Sequence, residues 1–216
     1  MPLGLTLLAA SFAAAGGRQD KFVGYYDDGQ PMYRAEVKSE KFTKGFETQK
    51  KTQWCWAACL SSVFKFYGHP VSQERIVKQL YGSDVNLPMY IAKQFARLLN
   101  RTWTDDNGVQ FKATLKAVYD SRAHVSTITN AFILDELRQG RPIIHCNLHH
   151  CMVATAVDYT PSGVVGVWAY DPMPGAVRMP LLTGNQIKMA ESGGEVIFLA
   201  AVEVSEVDQP GLVRPG

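Results

Sequence analysis

The sequence has no hydrophobic run long enough to cross a membrane and no large excess of charge of one sign. No apolar stretch reaches the roughly 20 residues that a membrane-spanning helix needs. Lys and Arg total 22 and Asp and Glu total 20, so the net charge is only +2. Such a balance gives no electrostatic reason to expect binding to nucleic acid or to an anionic membrane. We therefore expect neither as a partner.

The sequence also lacks the features of fibrous and disordered chains. It has no glycine period of the collagen type and no sustained heptad. Hydrophobic residues make up 46% and aromatic residues 11% of the chain, which excludes a disordered protein. A length of 216 residues suggests one domain with a sizeable core.

Cysteine is scarce, and its placement favours local roles over a disulfide scaffold. The four cysteines form two close pairs that are far apart in sequence: Cys55 with Cys59, and Cys146 with Cys151. Cys59 follows Cys55 by one helical turn, so we expect it to pack under Cys55. In an exported protein Cys146 and Cys151 can form a cross-strand disulfide, but the sequence does not decide this.

The two ends differ in composition from the rest of the chain. Residues 3–15 are apolar and rich in small side chains, as in the hydrophobic region of a signal peptide, although no Lys or Arg precedes them. We therefore predict export, with a cytoplasmic location left open. The predicted organisation is a signal peptide or flexible start over 1–17, a hairpin extension or propeptide-like segment over 18–45, a main domain over 46–207 and a tail over 208–216.

The order of predicted elements indicates an α+β fold. Helices dominate the first half and an antiparallel sheet dominates the second, without the alternation of a parallel βαβ sheet. Region 101–125 has a turn at 106–108 and no other assignment. The predicted helices cover residues 54–67, 72–81, 88–99 and 130–138. The predicted strands cover residues 22–26, 32–37, 143–144, 152–157, 164–170 and 196–204.

Three residues have the chemistry of a nucleophile, its base and an orienting acid. With Thr52 as the predicted N-cap, Cys55 lies in the first turn of a helix, where the helix dipole favours the thiolate. His150 begins a strand and Asp171 ends the next one, so one antiparallel hairpin brings them together. These are the candidate catalytic residues, and each also has a structural alternative: a buried Cys, a loop His and a turn Asp.

A fourth candidate supplies a hydrogen bond to an oxyanion. Gln49 lies six positions before Cys55, and a loop of that length can fold back toward the sulfur. Gln53 is the alternative donor, and His149 is the alternative base. His69 and His124 have no partner in these patterns, so we expect them at the surface or in loops.

The segment from Gln49 to Ala58, with Cys55 followed by Trp56, resembles the nucleophile segment of papain-like cysteine proteases. It is most similar to the bacterial branch that includes plant-pathogen effector proteases and the leader-cleaving peptidases of bacteriocin exporters. Residues 140–144, 150–158 and 170–172 resemble the later strands of that family. The resemblance implies a papain-like fold, a bacterial thiol peptidase acting on a protein or peptide, and these roles: Cys55 nucleophile, His150 base, Asp171 orienter and Gln49 oxyanion donor.

Other functions fit the same residues. Residues 145–151 include five possible metal ligands, so a binding or metal-binding module without catalysis is one alternative. An acyl transferase, amidase or deconjugase with the same triad is another, because the acyl-enzyme is common to all of them. We expect no metal and no organic cofactor, and the sequence does not indicate an oligomeric state.

Overall fold

The computed structural model of the chain describes residues 20–89 and 92–207. The predicted signal peptide over 1–17 and the tail over 208–216 lie outside the described residues. The described part begins with an antiparallel hairpin of β1 (Lys21–Tyr25) and β2 (Pro31–Glu36). Gly29 has a φ of +78° in the turn between them, a conformation that favours glycine. The predicted hairpin is confirmed.

Five α-helices are described, and most fall where hydrophobic spacing predicts them. The helices predicted over residues 54–67, 72–81 and 130–138 are confirmed to within a residue at each end. A short helix over residues 39–45 was not predicted. The predicted helix start at Pro88 is wrong, because residues 84–89 are not helical. Indole N–H groups and a tyrosine hydroxyl bind backbone carbonyls of that stretch instead. The helices are α1 (Ser39–Gly45), α2 (Cys55–Phe66), α3 (Gln73–Tyr81), α4 (Ala92–Leu99) and α5 (Asn130–Arg138).

One antiparallel sheet contains all ten strands of residues 20–89 and 92–207, which together with the helices confirms the α+β class. The main path of the sheet runs β1-β2-β7-β6-β10-β4-β3, with β5 beside β4 and with β8 and β9 continuing from β7. The remaining strands are β3 (Arg101–Thr104), β4 (Gln110–Asp120), β5 (Val125–Ser126), β6 (Ile143–Asn147), β7 (Cys151–Thr160), β8 (Gly163–Tyr170), β9 (Leu181–Leu182) and β10 (Val196–Glu206).

Region 101–125, which the sequence left almost unassigned, forms β3, β4 and the start of β5. The alternation of exposed and buried residues in β4 is irregular, and the partner strand β10 is far away in sequence. Trp103 and Phe111 from this region pack on Phe64 of α2, with ring centroids 5.5 and 5.1 Å away. Tertiary packing, rather than local periodicity, therefore fixes these strands.

Helix α2 runs through the core and packs on β7. Ten of its residues are buried, so it has almost no solvated face. Within residues 20–89 and 92–207, no helix is both long enough and apolar enough to cross a membrane.

The edge of β7 is shared between two strands. β6 pairs with its first half, from Cys151 to Ala154, and β2 pairs with its second half, from Ala156 to Tyr159. The Arg34 guanidinium of β2 binds both carboxylate oxygens of Asp158 on β7, at 2.6 and 2.9 Å. The N-terminal hairpin is thus part of the sheet whose strand β7 begins beside His150.

Candidate active site

Cys55 is the first residue of α2. The N-cap is Trp54, so the prediction of an N-cap at Thr52 is wrong. The Thr52 hydroxyl instead accepts a hydrogen bond from Asn86 Nδ2 at 2.8 Å. Cys55 has a free, half-buried thiol. This position lies at the positive end of the helix dipole, where the first backbone N–H groups have no partner within the helix.

The loop before Cys55 is held by the segment that precedes α4. The indole N–H of Trp54 donates to the Val85 carbonyl at 2.8 Å, and that of Trp56 donates to the Leu87 carbonyl at 3.2 Å. Asn86 Oδ1 accepts the backbone N–H of Gln53 at 3.0 Å. These bonds satisfy polar groups of two buried tryptophans and fix the entry to the helix that carries the thiol.

His150 lies between Cys55 and Asp171. Its Nε2 is 2.6 Å from Asp171 Oδ1, which leaves Nδ1 as the ring nitrogen for the hydrogen bond to the Cys55 thiol. Burial alone lowers the pKa of His150. The hydrogen bonds and charges of Asp171 and Cys55 outweigh burial and raise that pKa to about 9. The arrangement holds a proton on the imidazole beside a sulfur, as thiol chemistry requires.

Asp171 is itself fixed by backbone contacts. Its N–H donates to the Arg178 carbonyl at 3.0 Å, and its Oδ1 accepts the Met173 N–H at 2.8 Å. Asp171 directly follows Tyr170, the last residue of β8, and Tyr170 is paired with Val153 of β7. The hairpin expected from the sequence therefore brings Asp171 to His150.

His149, the alternative base, is not brought to the acid. It is exposed and lines the same cleft as Cys55, whereas the contact to Asp171 is made by His150. His149 lies in the bend between β6 and β7, one residue before the position that contacts the acid.

Gln49 is buried beside the loop that leads to Cys55. Its amide Nε2 donates to the carbonyls of Lys51 at 3.1 Å and Thr52 at 3.0 Å, while its Oε1 is buried without a described partner. Its backbone N–H donates to the Pro172 carbonyl at 2.8 Å, which joins the Cys55 loop to the segment after Asp171. The side chain of Gln53 is exposed and lines the cleft. The oxyanion role of Gln49 stays a prediction.

The cleft beside the thiol lies between the start of α2 and the turn from β6 to β7. Its lining is mixed, and Asp120 and Arg122 contribute charged groups beside a set of apolar side chains. Its apolar lining residues include Trp56, Pro88, Met89, Phe95, Leu148, Met173, Ile197 and Phe198.

A disulfide joins Cys146 to Cys151, which are paired across β6 and β7. The bond removes both sulfurs from the set of possible metal ligands over residues 145–151. His145 is buried in the interior, and His149 is exposed. Within the described part of the chain, no group of three or more His, Cys, Asp or Glu side chains is arranged to hold a metal ion.

Cys59 is fully buried one turn after Cys55, as the spacing predicts. Burial, followed by the charge of Cys55, raises its pKa well above the ordinary thiol value. His124 is exposed as expected, and His69 lies in a loop as expected, although its side chain is not at the surface. His69 is buried, stacks on Phe111 at 4.4 Å and lies 3.2 Å from Asp105 through Nδ1. The missed signal for the burial of His69 was Asp105, which directly precedes the turn at 106–108 in the unassigned region.

Comparison with known proteins shows the family to which the chain belongs. The family described as Peptidase_C39 like family matches residues 42–184, which include Gln49, Cys55, His150 and Asp171. No curated protein is significantly similar in sequence to this chain.

Two solved structures are similar in shape at low identity. A double glycine motif protease from an AMS/PCAT transporter, in complex with the leader peptide, is 14% identical with a TM-score of 0.41, over 88% of this chain and 100% of that one. UfSP from C. elegans is 11% identical with a TM-score of 0.42, over 93% of this chain. The match spans 36% of the UfSP chain. TM-scores below 0.5 say nothing about the function of this chain.

Proposed function

This chain belongs to the Peptidase_C39 like family and is a cysteine protease, and we propose that it cleaves peptide bonds through a triad of Cys55, His150 and Asp171. The observation that carries the proposal is the line of contacts from the thiol of Cys55 through His150 to Asp171, with 2.6 Å between the last two. A nucleophile, a base and an orienting acid in that order are the parts of acyl transfer by a thiol.

Each residue has a distinct task in the proposed reaction. Nδ1 of His150 takes the Cys55 proton, and Asp171 fixes the imidazole through Nε2 and stabilises its positive charge. The thiolate attacks the carbonyl carbon of the scissile peptide bond. His150 then gives the proton to the leaving amine, and water hydrolyses the acyl-enzyme while His150 accepts its proton.

The tetrahedral intermediate needs donors for its oxyanion. The backbone N–H of Cys55 is a natural donor, because the first N–H groups of a helix have no partner within the helix. The second donor that we propose is the side-chain amide of Gln49. Gln53 is the competing donor, since it lines the cleft whereas both amide protons of Gln49 are directed to loop carbonyls.

We propose a polypeptide substrate and an exported enzyme. The apolar residues that line the cleft suit an extended peptide that carries apolar side chains beside the thiol. The disulfide between Cys146 and Cys151 supports export, because the cytosol keeps most thiols reduced. The apolar residues 3–15 support it as well.

The decisive experiment compares His150→Ala with His149→Ala, a matched change at the neighbouring imidazole. Both proteins are treated with iodoacetamide at about pH 6, and labelling of Cys55 is mapped by mass spectrometry. An ordinary thiol is almost fully protonated at that pH and reacts slowly. We expect fast labelling of Cys55 in the wild type and in His149→Ala, and slow labelling in His150→Ala.

Cleavage is measured in parallel on a peptide library. Cys55→Ala is expected to abolish cleavage, and His150→Ala to reduce it by several orders of magnitude. Full cleavage by Cys55→Ala would refute the mechanism. Formation of a thioester without release of an acid, followed by transfer to an added amine, would point to an acyl transferase instead.

A further inference from the structure

The turn from β6 to β7 is organised by one side chain that the sequence did not single out. Asn147 Oδ1 accepts the backbone N–H of His149 at 2.9 Å and the backbone N–H of His150 at 2.8 Å. The Asn147 side chain is half-buried and lines the cleft. Because both partners are N–H donors, the atom that faces them must be the amide oxygen and not the amide nitrogen. This fixes the orientation of the Asn147 amide.

The same turn is already closed by other bonds. The Asn147 backbone N–H donates to the His150 carbonyl at 2.9 Å, and the disulfide from Cys146 to Cys151 spans the flanking positions. The two bonds from the Asn147 side chain are therefore not needed to close the hairpin. Instead, these bonds orient the peptide units of His149 and His150, because both N–H groups donate to the same oxygen atom.

We propose that Asn147 is a positioning residue for His150, an inference that rests on the proposed role of His150 as the base. Its side chain is bonded to the backbone of the base, while Asp171 holds the ring of the same residue through Nε2. The bond from Asn147 fixes the position of the His150 backbone, and the bond from Asp171 fixes the orientation of the imidazole ring. Together they aim Nδ1 at the Cys55 thiol.

A carboxylate oxygen can accept the same two N–H groups, so Asn147→Asp is the conservative variant and Asn147→Ala is the disruptive one. We expect Asn147→Ala to lower kcat on the order of 10- to 100-fold, since an ångström of misplacement is enough for such a loss. KM should change less than about twofold, because ground-state binding is retained. Asn147→Asp should recover most of kcat.

Asp28→Ala serves as the matched control. Asp28 Oδ1 accepts the Gln30 backbone N–H at 3.0 Å in the hairpin of β1 and β2, so this variant also removes a bond from a side chain to a turn. It should leave kcat unchanged. Labelling of Cys55 by iodoacetamide at about pH 6 should slow in Asn147→Ala and recover in Asn147→Asp.

Two outcomes separate failure of this proposal from failure of the proposed function. If His150→Ala loses activity while a folded Asn147→Ala keeps the kcat of the wild type, the positioning role is refuted and the triad stands. If His150→Ala itself retains activity, the triad is refuted. Should Asn147→Ala fail to fold, Asn147→Ser replaces it. Its shorter side chain should give an intermediate kcat, and equal kcat in Ser, Asp and wild type would also overturn the proposal.

Discussion

The Oδ1 atom of Asp171 accepts hydrogen bonds from two donors, His150 Nε2 at 2.6 Å and the Met173 N–H at 2.8 Å. The backbone bond holds the carboxylate in place when the histidine loses its proton. The bond to His150 raises the pKa of the imidazole. Asp171 therefore orients the ring and favours its charged form at once.

The high pKa of His150 predicts the basic limb of the activity profile. The competent pair has a protonated imidazole beside the thiolate, and this proton is lost as pH rises through about 9. Asp171→Asn removes a charge that raises the pKa, so the basic limb should move to lower pH and kcat should fall. The profile of kcat/KM against pH measures both. An unchanged limb in Asp171→Asn would show that another group controls it.

The two glutamines give opposite predictions for the oxyanion. Loss of a donor that serves the intermediate costs about 10²- to 10³-fold in kcat with little change in KM. We expect this for Gln49→Ala. Gln53→Ala is the matched variant and should stay within a few-fold of the wild type. The reverse result would assign the donor to Gln53 and leave Gln49 as the residue that holds Lys51 and Thr52 in place.

The disulfide should contribute to both stability and turnover. Replacing Cys146 and Cys151 together by Ser opens a small loop, and the loss of cross-link entropy predicts a decrease of about 2 kcal/mol in the free energy of unfolding. Urea denaturation measures this. The turnover of the double variant should also fall. Reductants that open the disulfide in the wild type should no longer change the turnover of this variant. Identical unfolding curves would contradict this prediction.

His145 predicts a loss of stability in acid. Its side chain lies in the interior and is only 3% exposed. Burial outweighs the nearby backbone groups and lowers its pKa to about 4. Because this lies below the ordinary value, protons bind the unfolded chain more tightly, and stability is lost as pH falls from about 6.5 toward 4.

The size of that loss is open to measurement by denaturation at two pH values. Between pH 7.5 and pH 5, His145 should account for a loss on the order of 2 kcal/mol in the free energy of unfolding. His145→Leu should reduce the acid sensitivity by that amount, whereas His149→Gln, at an exposed imidazole, should not. Equal sensitivity in His145→Leu and wild type would show that carboxylates dominate.

The sequence predicted the elements of the site better than its fine geometry. Cys55, His150 and Asp171 each lie at an end of a strongly patterned helix or strand, so local signals and one hairpin were enough to bring them together. The direction of the Gln49 amide depends on carbonyls of a loop without regular structure. The bond from Cys146 to Cys151 depends on the register of two strands, which local patterns do not specify.

Long-range pairing explains the missed part of the fold. Strand β4 is paired with β10, so its residues satisfy contacts that no local window contains. The burial of His69 in its loop was not predicted for the same reason, because its partners Asp105 and Phe111 come from that region.

The shared edge of β7 gives the N-terminal hairpin a protective role. If residues 21–36 were detached, the second half of that edge, from Ala156 to Tyr159, would lose its β2 partner. Asp158 would also lose the Arg34 guanidinium that neutralises it. A bare strand edge recruits strands from other molecules. The hairpin thus covers the part of β7 that β6 leaves unpaired, and the open edge of the sheet lies at β1, two strands away from β7.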